Sequence, residues 1–82
     1  MAEIRKKVIA YLHPELYEQD ALAADFIAKL PSSLRGEFYR QSLVTGAALT
    51  SIDPRLLQII SIMYSERFNQ SALMDILSSI CL

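Results

Sequence analysis

The chain has one cysteine, one histidine, two glycines and no tryptophan. Each scarcity excludes a class of chemistry. Cys81 alone cannot close an intrachain disulfide, so this is not a stapled secreted scaffold. His13 and Cys81 together are too few to close a zinc site within one chain. Two glycines cannot form a phosphate-cradling loop of the Walker or dinucleotide type. Long hydrophobic runs are missing as well. The longest uncharged stretch, residues 41–52, contains Gln, Ser, Thr and Gly and falls well short of the roughly 18 apolar residues that a membrane span requires. The apolar stretch behind the charged N-terminus stops at His13-Pro14-Glu15, too soon for a signal-peptide core. A cytoplasmic protein with no membrane association and no cofactor is expected.

What is present is apolar side chain in excess of volume. Hydrophobic residues make up 52% of 82 residues and mean hydropathy is +0.26. A chain this short buries only about 60% of its unfolded surface when it folds alone. Part of its apolar surface is therefore expected between chains, in an obligate homodimer. Charged residues are 21%, too few for a disordered chain of this hydrophobicity. The net charge of −1 is uninformative, but its distribution is not. Arg5, Lys6 and Lys7 are consecutive, acids gather at Glu15, Glu18, Asp20 and Asp25, and the chain from Gln41 onward is nearly uncharged.

Residues 7–12, Lys-Val-Ile-Ala-Tyr-Leu, are rich in β-branched and aromatic types and are halted by His13-Pro14, which predicts a strand. Alternation places Val8, Ala10 and Leu12 on one face and Lys7, Ile9 and Tyr11 on the other. Four helices are predicted behind it. Pro14 opens the first, about 14–29, with Glu15 and Glu18 near its N-terminus; Pro31 ends it. Ser32 or Ser33 caps the second, to about Leu49, whose Gly46-Ala47-Ala48 patch suits the close approach of another helix. Asp53-Pro54 reads as a cap followed by proline, opening an almost wholly apolar helix over about 54–65. Ser71 starts the last helix, which carries Leu73, Met74, Ile76, Leu77, Ile80 and Cys81, the thiol read as packed and unreactive.

One strand has no partner within the chain, and its backbone groups need one. Pairing with the same strand of a second chain about a two-fold axis gives an antiparallel ribbon over helices. The expected fold is thus mostly α with one N-terminal strand: a ribbon–helix–helix homodimer with additional C-terminal helices. Such a ribbon fits the major groove of B-DNA. Lys7, Ile9 and Tyr11 would then face base edges: Lys bonds guanine O6 or N7, Tyr offers a hydroxyl, and Ile touches a thymine methyl. Arg5 and Lys6 would reach phosphates. So would the start of the second helix, with Ser32, Ser33, the backbone amide of Leu34, and Arg35 beside it. No Ser/His/Asp set and no paired carboxylates emerge, so no enzymatic activity is expected.

The run Leu30-Pro31-Ser32-Ser33-Leu34-Arg35, then Arg40, then Leu43-Val44-Thr45-Gly46-Ala47-Ala48-Leu49, then Asp53-Pro54-Arg55, resembles the ParR family. These proteins, also called StbB, are the centromere-binding proteins of actin-type (type II) plasmid partition systems. The basic lead to residues 7–12, the His13-Pro14-Glu15 turn and the closing helix over 73–80 fit as well. The resemblance implies dimers that bind direct repeats of a plasmid centromere as double-stranded DNA and pack into a higher-order array. It implies capture of a filament of the actin-like ATPase ParM, through a C-terminal tail that this chain, ending at Leu82, does not include. It also implies autorepression of the operon. In this reading residues 1–50 are the DNA-binding and dimerisation region, and residues 51–82 complete the dimer and support dimer–dimer assembly, within one compact domain. Two alternatives stay open on the residues alone: a ribbon–helix–helix repressor or antitoxin without a partition role, and a helical interaction module or chaperone that does not bind DNA, for which the acidic pI of about 5.7 speaks.

Overall fold

The computed structural model describes residues 5–81, with the side chains of Ile80 and Cys81 outside the description, so the reading of Cys81 as a packed thiol lies outside it too. Four helices follow one another: α1 (Glu18–Lys29), α2 (Ser32–Ile52), α3 (Arg55–Met63) and α4 (Gln70–Cys81). Among the described residues there is no strand. Residues 7–12 belong to no ladder, and the fold is all-helical. This corrects the expectation of an N-terminal strand and of a ribbon–helix–helix arrangement. The β-branched and aromatic run marks residues that tolerate an extended backbone. A strand is made by its hydrogen-bonded neighbour, and this chain carries no second extended run to serve as one.

The first helix also starts later than expected. Residues 14–16 form a separate turn, with the amides of Leu16 and Tyr17 both donating to the His13 carbonyl at 3.0 Å. Tyr17 is extended (φ −130°, ψ 129°) and α1 begins only behind it. Glu18 and Asp20 sit in its first turn and Lys29 in its last, each sign matching the helix dipole. Leu30 is extended (ψ 139°), as the residue before a proline prefers, so the chain turns a corner at Leu30-Pro31 into α2.

Helix α2 runs 21 residues and ends where the Asp53 amide donates to the Leu49 carbonyl. Asp53 then does what its position before Pro54 foretells. Its Oδ1 accepts the Arg55 amide at 2.9 Å, and its carbonyl accepts the Leu56 amide at 3.1 Å. The last helix is capped by Asn69, whose Oδ1 accepts the Ala72 amide at 2.8 Å.

Helix α3 packs on both α2 and α4. The small-residue patch on α2 has the expected neighbour: a Cβ placed on Gly46 would lie 3.3 Å from Leu57 Cδ2 of α3. Gly36, one turn into α2, has nothing within 4 Å of that position. Glycine in a helix interior costs about 1 kcal/mol against alanine. Gly36→Ala is therefore expected to stabilise by about that amount, raising Tm by about 4–8 °C for a domain of this size. Gly46→Ala gains the same propensity but crowds Leu57, and its thermal melt should show the smaller rise.

The corner at Asp53 supplies a pH dependence. The Arg55 side chain bonds the Asp53 carboxylate (Nη2 to Oδ2, 2.8 Å). With the Arg55 amide, this holds the carboxyl down to about 2, from an ordinary 3.8. A depressed folded-state value stabilises the fold above about pH 4, and that contribution is lost as pH falls towards 2. Thermal melts across pH 7 to 2 should show wild type losing more stability over that lower window than Asp53→Asn, which keeps the capping oxygen and cannot titrate. Equal losses would contradict this.

Leu56 alone is fully buried among the described residues. Many large apolar side chains stay exposed, among them Leu34, Tyr39, Leu43 and Val44 on α2 and Ile62 on α3. The radius of gyration is 14.7 Å, where a compact chain of this length has about 12 Å. The accessible surface is 7130 Å², about 2,200 Å² more than a compact monomer of this mass exposes.

Candidate nucleic-acid interface

Residues 5–12 lie ahead of the turn at 14–16 in no helix or strand, and every one of them is exposed. Ile9 is 64% exposed and Tyr11 79%, but so is Val8 at 63%. The expected division into an inward face (Val8, Ala10, Leu12) and an outward face (Lys7, Ile9, Tyr11) is therefore not drawn by burial within this chain. Arg5, Lys6 and Lys7 lead the segment as three consecutive exposed cations. The segment is anchored at its far end. The His13 amide donates to Asp20 Oδ2 at 2.7 Å, and the His13 ring stands edge-on to Tyr17 with centroids 6.4 Å apart.

The second predicted element is the start of α2. Pro31 occupies the position before the helix, Ser32 and Ser33 are its first two residues, and no side chain caps it. Ser32 and Ser33 therefore do not act as the expected caps. Both are exposed, and no acid lies in the first turn. An uncapped helix start with exposed hydroxyls and no nearby carboxylate has the polarity that attracts an anion. The Leu34 amide is already engaged, donating to the Pro31 carbonyl at 2.9 Å, and the Leu34 side chain is exposed.

Arg35 lies elsewhere than its neighbours suggest. Its Nε donates to the carbonyls of Ile27 (3.1 Å) and Leu30 (3.2 Å), and its Nη2 to that of Ala28 (3.3 Å). The guanidinium is half-buried against the end of α1, where the last carbonyls of a helix lack intrahelical donors. Sequence reasoning missed this. The available signal was an arginine one turn beyond a Leu-Pro corner, within reach of the helix end the corner leaves open. Further along α2, Arg40 pairs with Glu37 (Nη2 to Oε1, 2.6 Å), which lowers the Glu37 carboxyl from its ordinary value.

Between α2 and α3 an open apolar groove of about 550 Å³ is lined by Phe38, Gly46, Leu49, Leu57, Ile60 and Tyr64, among others. Phe38 also meets Phe26 of α1, with ring centroids 5.4 Å apart. Among the described residues no group of three or more His, Cys, Asp or Glu could hold a metal ion. No described helix is long and apolar enough to cross a membrane.

Comparison with known proteins places this geometry. The family model described as plasmid stability protein matches residues 6–77. Among solved structures the chain is similar to ParR from plasmid pB171, at 36% sequence identity and a TM-score of 0.86, over 95% of this chain and 86% of that one. A search of curated proteins gives no significant match. The family match runs from Lys6 through α1, α2 and α3 into α4, so the chain belongs to the plasmid stability protein family, the ParR/StbB-like proteins.

Proposed function

We propose that this protein is a DNA-binding adaptor of a plasmid partition system, working in the cytoplasm as a homodimer. Its likeness to ParR over nearly the whole chain carries the reading. The DNA partner is a set of direct repeats in a plasmid centromere. Lys7, Ile9 and Tyr11 of the exposed segment contact base edges. Arg5, Lys6 and the Ser32–Ser33 start of α2 contact phosphates. The exposure of residues 5–11 and the uncapped, acid-free start of α2 support these assignments.

The surface supports self-association. An excess of about 2,200 Å² over a compact monomer lies within the range that obligate interfaces bury. Among the described residues a single side chain is buried, too small a core to hold four helices without help. Dimers then line up along the repeats, the array is linked to the actin-like ATPase ParM, and binding beside its own gene represses the operon.

Footprinting tests the partition reading against a plain repressor. An adaptor protects several consecutive repeats, cooperatively. Protection of one isolated operator contradicts the array.

A further inference from the structure

The segment over residues 5–12 and α1 are held to the rest of the fold by little apolar contact. Helix α1 has no buried residue, and its ring contact with α2 is the Phe26–Phe38 pair. Two polar clamps stand in series instead. Asp20 of α1 accepts the His13 amide at 2.7 Å, which fixes the segment before His13 to the first turn of α1. Arg35 of α2 donates to the carbonyls of Ile27, Ala28 and Leu30, which fixes the last turn of α1 and the corner to α2. One guanidinium thus spans three carbonyls, a geometry that a rigid planar fork allows and a single ammonium does not.

We propose that Asp20 and Arg35 are positioning residues for DNA binding, which together set how the segment carrying Lys7, Ile9 and Tyr11 is presented relative to the start of α2. The inference rests on the DNA-binding reading above. It gives Arg35 a role distinct from that of a phosphate ligand. It also gives an acid a favourable role at a DNA interface, where the charge alone argues the reverse: removing a carboxylate near a polyanion strengthens binding unless the carboxylate holds something in place.

The test is fluorescence anisotropy of the full chain with a labelled duplex carrying the repeats beside its own gene, and a scrambled duplex as control, over a salt series. Circular dichroism at the assay temperature reports the fold of each variant. Asp20→Ala and Arg35→Lys are each expected to weaken repeat binding by about tenfold, the size of one good base contact. Binding to the scrambled duplex and the salt slope should not fall. Asp20→Asn keeps the acceptor for the His13 amide and is expected to bind at least as tightly as wild type. This rescue separates positioning from a general loss of fold.

Four results overturn the inference. Arg35→Lys binding as wild type while Arg35→Gln lowers the salt slope by about 0.9 makes Arg35 a phosphate ligand. A lowered Tm with unchanged affinity makes either clamp structural only. Tighter binding by Asp20→Ala makes Asp20 a mere repelling charge. Failure of wild type to prefer the repeats removes the DNA reading and this inference together, whereas the first three leave that reading intact.

Discussion

Replacing Lys7 and Tyr11 together by alanine is expected to remove the sequence-specific part of the proposed DNA binding and to leave the helices intact. Both side chains project from a segment that lies outside every helix, and Tyr11 is 79% exposed, so little folded structure depends on them. Substitutions at exposed positions of this kind usually change stability by less than about 0.5 kcal/mol. A good base contact is worth about 1–3 kcal/mol, so losing two weakens repeat binding by about 2–6 kcal/mol, about twenty-five-fold or more. Lys7→Ala alone should also reduce weak binding to scrambled DNA, because a cation is lost; Tyr11→Ala alone should not. Anisotropy with both duplexes, and circular dichroism of the variant, decide this. Repeat binding that survives the double change excludes residues 7–11 as the recognition surface.

The second large effect is expected on α2. Leu43 and Val44 are 55% and 57% exposed within the single chain. If the chain worked alone, Leu43→Asp and Val44→Asp would be nearly silent. If α2 faces a second copy, each change buries an unpaired carboxylate in an apolar contact, which is among the most costly substitutions known. Sedimentation should give wild type a mass about twice 9.2 kDa and the double variant 9.2 kDa or an unfolded chain. Wild-type Tm should rise with protein concentration, as it does when folding and association are linked. A wild type that sediments as a monomer, with the double variant equally stable, contradicts the dimer.

The helical part of the fold was legible because its signals are local. Pro31 ends α1, Asp53-Pro54 starts α3, and Gly46 marks the place where another helix comes close; each act involves residues a few positions apart or one small side chain. That residues 7–12 form no strand was not legible, since their alternation describes what a backbone tolerates and says nothing of what it pairs with. The late start of α1 was hidden for a related reason. Glu15 reads as an acid at the helix start behind Pro14, yet the first turn belongs to Glu18 and Asp20, and the Asp20 carboxylate accepts the His13 amide seven residues back. Arg35 shows the same limit at the candidate site. Beside Ser32 and Ser33 it reads as one more cation for DNA, while its guanidinium lies on carbonyls five to eight residues earlier. Asn69 was overlooked as a cap because the last helix was read as starting at Ser71, two residues later.

The measurement that bears most directly on the central claim is the affinity of the wild-type protein for the repeat region beside its own gene, set against scrambled DNA of the same length, across a salt series. A DNA-binding adaptor predicts tight, cooperative binding that requires the repeats and weakens steeply as salt rises, with a slope of about 0.9 for each phosphate neutralised. Equal and weak binding to both duplexes would contradict it, and would leave the apolar surface between α2 and α3 as the place to look for a protein partner.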